Sequence, residues 1–487
     1  MAAEPPVVAD PGAPEFPSVG DRRWSPVAHR LDLVLVGLVV AYVVARSSVA
    51  LRVEPFRTYD SRSYLGLTDG PDPTVTLSFT GQAPRLWGAP LLYSLVGADE
   101  GRALLQALVG MLGWTALVVA LWITLRSPVA RVLAAVVLFG LALTPPAYVW
   151  DHTMISESLS INLGLLTVGL GGIWWRTRSR VAAAAMTATA FWWIFTRQDM
   201  LLFVGLVLVA VLVLAWRSRP HRRAAVAVVL VLGVGLAWAA AIAGPTDRTF
   251  ARWSASGHSQ TEETFLYRLM IDVMDDRRMR EVYHEELGMP GCRPLEKVTD
   301  STSWNVRRVG HAYRACPDLR AWADENKMTV GYRYAVADPR HFARTMEEKF
   351  AVALGSRSLG TYGRPAALLP AGVQAAYFPP ERLVLPLVAV TAVLAVLAGW
   401  ATGAVRRRRV LLVAGAVAVV GSLVSTLAGL MLSAGEFARF GIQESLYLRI
   451  GLLVLLLAAL DAALDRRGRA GQGDAPGPRP SPAIDGE

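Results

Sequence analysis

Residues with the chemistry of an active site follow the first long apolar stretch of the chain. Residues 33–45 are almost continuously apolar, and Asp60 lies a few residues beyond them. A carboxylate at the edge of an apolar stretch can be solvated on one side and can act as a general base toward a hydroxyl group on the other. Tyr59, Arg62 and Tyr64 flank it. Asp60 is therefore the principal catalytic candidate.

Three later loops add polar side chains that a membrane fold could bring to the same depth as Asp60. They contribute Asp151, His152, Glu157, Arg197, Asp199, Glu436 and Arg439. Carboxylates can act as general bases, and guanidinium groups form paired hydrogen bonds with a phosphate leaving group. We therefore assign Asp151 and Glu157 as further catalytic candidates, and Arg62 and Arg197 as candidates for binding a phosphate.

Plain structural roles compete with these assignments. Asp60 could remain a solvated loop residue or cap a helix that begins at Ser61. Ser156 and Glu157 suit the first turn of a helix, where the helix dipole favours a carboxylate. Arg197 could simply extend its side chain toward the membrane surface.

Two further pairs of candidates have local explanations. Glu436 and Arg439 lie three residues apart, which is the spacing of an ion pair within one helix. His152 directly follows Asp151, and this is not the ligand spacing of a metal motif. Aspartate and histidine nevertheless suit a divalent ion, so Mg²⁺ or Mn²⁺ stays open as a cofactor. No other cofactor is indicated.

The elements that must position these residues are membrane helices. Of the 487 residues 53% are hydrophobic, and apolar runs of about 20 residues, the length that a bilayer core requires, recur along the chain. The predicted fold class is an all-α polytopic membrane protein with about ten transmembrane helices. Arg46 and Arg52 mark the far end of the first span. The net charge of +10 comes from short arginine blocks between apolar runs, which indicates membrane orientation rather than nucleic-acid binding.

The arginine blocks predict which side of the membrane each loop occupies. With the N-terminus inside and ten spans, every block falls on the cytoplasmic face, and every loop with candidate site residues falls outside. The blocks occupy 126–131, 176–180, 217–223, 406–409 and 466–469. Both termini are then cytoplasmic in a multi-pass protein of the cell membrane. The preference for arginine over lysine indicates a GC-rich bacterial genome.

Composition divides the chain into five predicted regions. Disordered cytoplasmic tails occupy 1–30 and 466–487. A seven-helix membrane module, whose acidic first outer loop covers 52–100, occupies 31–243, and three further membrane helices occupy 383–465. The polar region between helices seven and eight is too long to be a simple connector.

This polar region, 244–382, is predicted to form a mostly helical extracytoplasmic cap. Apolar residues at helical spacing predict one helix over 262–286 and another after Pro339. Cys292 and Cys316 are the only cysteines of the chain, and they are a disulfide candidate because the cap is predicted to lie outside. Two unpaired buried thiols are the alternative, because spacing does not give the geometry of a pair.

The arrangement resembles the GT-C superfamily of integral-membrane glycosyltransferases. In that family the first outer loop carries an acidic residue near the end of helix one, a second acidic loop lies between helices three and four, and an insert follows helix seven. Tyr59–Asp60 matches the first acidic position, Asp151 or Glu157 matches the second, and 244–382 begins where the insert does. The chain lacks the Trp-Trp-Asp-Tyr-Gly signature of oligosaccharyltransferases, and it lacks the loop lysine of some sugar-phosphate transferases.

The resemblance implies an inverting hexosyl or pentosyl transfer. A sugar would pass from a polyprenyl-phosphate donor to an envelope glycan, lipid or protein at the outer face of the membrane. Asp60 would deprotonate or orient the acceptor hydroxyl, and Arg62, Arg85 or Arg197 would hold the departing phosphate. A transporter or lipid flippase and an assembly protein are the competing hypotheses. The apolar segments carry few internal charges, which favours surface chemistry over passage.

Overall fold

A computed structural model of the chain describes residues 26–66, 75–198, 200–216, 222–254, 257–297, 306–355, 367–432 and 437–473. Within these ranges the chain is helical, and β pairing is confined to one isolated bridge between Phe56 and Thr153. Several helices are long and apolar enough to cross a bilayer. The predicted class, an all-α polytopic membrane protein, is therefore confirmed.

Among its described residues, the N-terminal half consists of seven longer helices, one for each predicted apolar segment, and three short helices between them. The helices are α1 (Pro26–Ala50), α2 (Ser61–Leu65), α3 (Gly88–Ser94), α4 (Asp99–Thr124), α5 (Pro128–Ala142), α6 (Pro145–Tyr148), α7 (Ser156–Thr177), α8 (Arg180–Ile194), α9 (Met200–Trp216) and α10 (Arg222–Trp253). A 3₁₀ turn, Val149–His152, links α6 to the segment before α7. Two boundaries differ from the prediction. Helix α1 begins inside the region predicted as a tail, and α10 continues past 243 through Pro245.

The polar region forms shorter helices. They are α11 (Gln260–Arg268), α12 (Arg277–Glu285), α13 (Arg293–Glu296), α14 (Val306–Arg314), α15 (Pro317–Asn326), α16 (Val330–Ala337) and α17 (Pro339–Gly355). The single helix predicted over 262–286 is wrong, because a π-helical turn at Leu269–Val273 follows α11 and the Asp276 side chain caps a new helix by accepting from the Met279 amide. The helix predicted after Pro339 is confirmed as α17.

The described C-terminal part contains three long apolar helices and three short ones. They are α18 (Ala371–Tyr377), α19 (Glu381–Ala401), α20 (Ala404–Arg407), α21 (Arg409–Leu432), α22 (Phe437–Phe440) and α23 (Ile442–Gly473). Helix α23 continues beyond the predicted boundary at 465, and the tail after 473 lies outside the described residues, as do 1–25.

The count of ten spans is not confirmed. Among the described residues seven helices are long and apolar enough to cross a membrane, or up to eight if the pair Pro128–Ala142 and Pro145–His152, bent by 73°, is one span. Helices α8 and α9 contain 15 and 17 residues. At about 1.5 Å per residue these helices reach roughly 22 and 26 Å, short of a bilayer core of about 30 Å.

Close packing between α4 and α7 fixes the helix that carries Glu157. A Cβ atom on Gly113 would lie 2.7 Å from the carbonyl oxygen of Asn162, and one on Gly169 would lie 2.5 Å from the backbone of Ala116. Only glycine allows the two backbones to come this near, as small residues do at helix contacts in membranes. The N-terminal end of α7 is therefore held firmly against α4.

A buried ion pair ties the helices together at the ends remote from Asp60. Arg408 Nε donates to Asp461 Oδ2. Asp461 Oδ1 also accepts from the backbone amides of Arg126 and Ser127, at 2.9 and 2.6 Å. The Asp461 carboxylate in α23 thus joins the loops at 126–131 and 406–409. From the sequence, the arginines of these loops predicted only membrane orientation.

Candidate active site

A large cavity lies between the cap and those ends of the membrane helices that are near Asp60. Its volume is about 1380 Å³. The wall is formed by the loop and helix around Asp60, the start of α7, the segment between α8 and α9, the last turns of α10 and α21, and helices α11, α22 and α23. Polar loops, cap and apolar helices therefore meet around one space.

Asp60 lies on this wall and is bound by two arginines. It occupies the N-cap position of α2 but makes no capping hydrogen bond with its side chain. Asp60 Oδ2 lies 2.7 Å from Arg439 Nη1, and its Oδ1 lies 3.7 Å from Arg85 Nη2. Its side chain is 30% exposed. Asp60 is thus neither a cap nor a fully solvated loop residue, which are the two plain alternatives.

Glu157 enters the same cluster from the first turn of α7. Its Oε1 accepts from Arg439 Nε over 2.6 Å and lies 3.1 Å from Arg197 Nη1. The side chain is 1% exposed, and its Oε2 is buried with no hydrogen-bond partner among the described residues. A helix-dipole role does not require these ion pairs. Arg197 is engaged with Glu157 and does not simply extend toward the membrane surface.

Arg85 is held by neighbouring side chains at the cavity wall. Its Nε donates to Ser63 Oγ over 2.7 Å, and its guanidinium lies over the rings of Tyr64 and Phe250, at 4.7 and 5.0 Å from the centroids. Tyr64 is itself buried, and its hydroxyl is 2.9 Å from Ser156 Oγ. Tyr64 therefore supports Arg85 and joins α2 to α7.

The remaining candidates differ in what the structure describes of them. Tyr59 and Arg62 are exposed and line the cavity. Asp199 and Glu436 lie outside the described residues, so the predicted Glu436–Arg439 pair is not described either. Arg439 itself bridges Asp60 and Glu157, which lie on two other elements.

Asp151 does not line the cavity with Asp60, so the two carboxylates that the sequence places at one depth do not meet there. Arg46 Nη2 donates to Asp151 Oδ2 over 2.7 Å, and Ser158 Oγ and Asn162 Nδ2 donate to its Oδ1 over 2.6 and 3.2 Å. The side chain of Asp151 is 2% exposed. The 3₁₀ turn that contains Asp151 directs it toward α1, because Arg46 lies within that helix and needs an anion.

His152 does not line the cavity either. It is buried, and its backbone carbonyl accepts from the Phe56 amide over 2.6 Å. Among the described residues no group of three or more histidine, cysteine, aspartate or glutamate side chains could hold a metal ion. Cys292 and Cys316 form a disulfide within the cap.

Sequence reasoning missed several charged cavity residues, and two of them contact α21. Glu444, in the first turn of α23, lines the cavity and accepts from Ser425 Oγ over 2.7 Å. Arg268, at the end of α11, lines it too and donates from Nη2 to the carbonyl of Leu430 over 3.0 Å. For Glu444 the available signal was a carboxylate at the edge of an otherwise apolar segment, which usually marks a functional position.

The described wall of the cavity carries more positive than negative charge. Its basic residues are Arg57, Arg62, Arg85, Arg197, Arg268, Lys327 and Arg439, and its acidic residues are Asp60, Glu157, Glu263 and Glu444. Burial raises the pKa of Asp60, but the charge of Arg439, that of Arg85 and a hydrogen bond from Arg439 outweigh burial and hold this pKa below its ordinary value. Asp60 is therefore ionised at neutral pH.

The arrangement can bind an anion and accept a proton at the same place. Guanidinium groups suit phosphate oxygens, and Asp60 is a carboxylate at the edge of the space where a phosphate would lie.

Comparisons of the chain with family models, with curated proteins and with solved structures give no match.

Proposed function

We propose that this protein is a membrane glycosyltransferase that moves a sugar from a polyprenyl-phosphate donor to a cell-envelope acceptor on the extracytoplasmic face. The observation that carries the proposal is the meeting of Asp60 and Glu157 with Arg85, Arg197 and Arg439 at one cavity. A proton acceptor and a set of phosphate ligands are then within reach of one substrate. The resemblance to the GT-C superfamily supports the same proposal.

The apolar wall of the cavity suits the isoprenoid chain of such a donor. Leu201 and Leu202 at the start of α9 and Leu430 and Leu432 at the end of α21 line it. Leu202 and Leu432 are each 42% exposed, so their side chains are open to contact with a hydrocarbon chain. A donor whose phosphate binds the arginines can therefore lay its hydrocarbon along these helices.

The reaction supported best is a single displacement. The acceptor hydroxyl oxygen attacks the anomeric carbon, its proton passes to a carboxylate oxygen of Asp60, and the bond from the anomeric carbon to the phosphate oxygen breaks. The electrons of that bond leave with polyprenyl phosphate, and the arginines stabilise the negative charge that develops there. One displacement inverts the configuration at the anomeric carbon.

Glu157 takes the second acidic position in this proposal, in place of Asp151. Its buried carboxylate is engaged with Arg197 and Arg439, so it suits the orientation of phosphate ligands rather than proton transfer. Asp151 is assigned no part in the reaction because it does not line the cavity.

The test is release of polyprenyl phosphate from polyprenyl-phosphate hexose and pentose donors. The full-length protein is reconstituted in proteoliposomes with an envelope fraction as acceptor. We expect the wild type to release polyprenyl phosphate, and Asp60→Asn to fall to background with unchanged abundance. The matched control Asp318→Asn alters an exposed aspartate of the cap outside the cavity, and it should retain release.

Two outcomes would count against the proposal. Retained transfer in Asp60→Asn would remove Asp60 from the mechanism. Counterflow of the donor across vesicles that lack any acceptor, without sugar transfer, would instead identify a transporter, which is the competing hypothesis.

A further inference from the structure

Arg439 is the side chain that binds both Asp60 and Glu157 at the cavity. Its Nη1 lies 2.7 Å from Asp60, and its Nε donates to Glu157 over 2.6 Å. It comes from the short helix α22, whereas its partners belong to α7 and to the loop before α2. One guanidinium group therefore divides its hydrogen bonds between two anions from distant parts of the chain.

The two carboxylates hold Arg439 with unequal strength. Glu157 is almost fully buried and is also bound by Arg197, so releasing it would leave a buried charge without compensation. Asp60 is partly exposed, and its other arginine, Arg85, is 3.7 Å away. Asp60 can thus be solvated again at a lower cost if another anion takes its place on Arg439.

An aspartate held by Arg439 is poorly suited to removing a proton from a hydroxyl group. Burial raises the pKa of Asp60, but the charges of Arg439 and Arg85 lower it further than burial raises it. Proton transfer to a general base becomes more favourable as the pKa of that base rises toward the working pH. Separation of Asp60 from Arg439 would therefore make Asp60 a better base.

We propose that Arg439 couples donor binding to activation of Asp60: the donor phosphate takes over the Nη1 side of Arg439, and Asp60 is released toward the acceptor hydroxyl. Glu157 keeps its bond to Nε and holds the guanidinium in place during the exchange. Arg439 is thus a positioning residue that acts through Asp60. This inference rests on the proposed function, and it adds an order of events, because the base becomes available only after the lipid phosphate has bound.

The exchange of Asp60 for the donor phosphate on Arg439 predicts that loss of the Asp60 charge strengthens phosphate binding. Asp60 and the phosphate compete for the same donor on Arg439, so neutralising Asp60 should strengthen the binding of a lipid phosphate although it abolishes transfer. A purely structural Asp60–Arg439 pair predicts the opposite, because an uncharged asparagine at this position would hold Arg439 less firmly in place.

The experiment measures the dissociation constant of farnesyl phosphate for the full-length protein in nanodiscs by calorimetric titration. We expect Asp60→Asn to bind about three- to tenfold more tightly than the wild type, since an ion pair of this exposure competes with about 0.6 to 1.4 kcal/mol. Arg439→Gln should bind more weakly. The double variant Asp60→Asn/Arg439→Gln should bind no more tightly than Arg439→Gln alone, because the competition needs both partners.

General charge repulsion is separated by a control in the same cavity. Glu263→Gln removes a carboxylate on the cap side of the wall, and we expect a smaller gain than that of Asp60→Asn. Unchanged or weaker binding in Asp60→Asn, or a gain that survives in the double variant, would overturn the coupling. Should Arg439→Gln fail to fold, Asp60→Asn against Glu263→Gln still decides the matter. Absence of farnesyl phosphate binding to the wild type would instead contradict the proposed function itself.

Discussion

Two carboxylate–arginine clusters lie near the same ends of the membrane helices, and they differ in what surrounds them. Asp60 binds Arg439 and Arg85 on the wall of the cavity. Asp151 binds Arg46 in a sealed site between α1 and α7, where both side chains are at most 2% exposed. The chemical groups are the same, but only the first cluster can meet a substrate.

The difference shows that an aspartate paired with arginine does not by itself mark an active site. In the sealed cluster one arginine meets one carboxylate, and hydroxyl and amide donors complete the shell of Asp151. Such a pair joins helices and leaves no charge for a ligand. In the open cluster Asp60 and Glu157 share three arginines, so positive charge remains for an anion.

Of the substitutions that test the difference between the two clusters, Asp60→Asn should reduce activity the most. We expect sugar transfer to fall by about 10²- to 10⁴-fold, the usual contribution of a general base. The unfolding midpoint in an SDS titration should stay near that of the wild type, because the side chain is partly exposed and asparagine has the same shape. If transfer and the amount of folded protein fell equally, Asp60 would have a structural role like that of Asp151, and the two clusters would not differ in function.

Asp151→Asn should give the reverse pattern. Arg46 would remain buried without a full negative charge beside it, and breaking a buried pair of this kind costs about 3 to 5 kcal/mol of unfolding free energy. The transfer rate per folded molecule should stay within a few-fold of the wild type. The double variant Arg46→Met/Asp151→Leu should recover much of the lost stability, since it removes both charges. A specific loss of transfer in a stable Asp151→Asn protein would return Asp151 to the catalytic site.

Glu157→Gln should fall between these two extremes. Glu157 is as deeply buried as Asp151, yet it lines the cavity with Asp60. We expect transfer to fall about tenfold as Arg197 and Arg439 lose their common anchor, and unfolding free energy to fall by about 1 to 3 kcal/mol. Activity and SDS titration on the same preparation measure both. A loss of transfer alone would make the role of Glu157 purely functional, and a loss of stability alone would make it purely structural.

The helices were predictable from sequence because length and hydrophobicity decide them. Each of the ten predicted apolar segments coincides with a helix or a broken helix. The number of spans was less predictable, because the ends of α8 and the break before Pro145 depend on capping and packing rather than on average hydrophobicity. The π-helical turn after α11 has no comparable signal in composition.

The site was predictable only where chemistry follows directly from position. Asp60 could be identified because it comes soon after an apolar helix. The bridge from Arg439 to Glu157 joins residues 282 positions apart, and no local pattern reports such a contact. The burial of Asp151 against Arg46 was not predicted, although α1 continues past Arg46 to Ala50. An arginine inside an apolar helix requires an anion, and that requirement was the missing signal.

Arg85→Gln should give the smallest effect, and it probes the electrostatics of the open cluster alone. The charge of Arg85 lowers the pKa of Asp60, and among the charges that do so it ranks second to that of Arg439. Activity needs the ionised carboxylate, so it is lost as the pH falls through this pKa. Removal of the Arg85 charge raises the pKa, and the acid limb of kcat/KM should therefore move to higher pH. At neutral pH the rate should fall only about threefold, one phosphate contact being lost.

The pH profile of polyprenyl phosphate release measures this shift. Arg57→Gln is the matched control, because Arg57 lines the same cavity but is paired with Asp99 rather than with Asp60. Its acid limb should stay where the wild type has it. An acid limb that Arg85→Gln leaves in place, or moves to lower pH, would show that another group controls the acid side of the reaction. The open cluster would then owe its activity to a carboxylate other than Asp60, and its contrast with the sealed cluster would have to be drawn around Glu157.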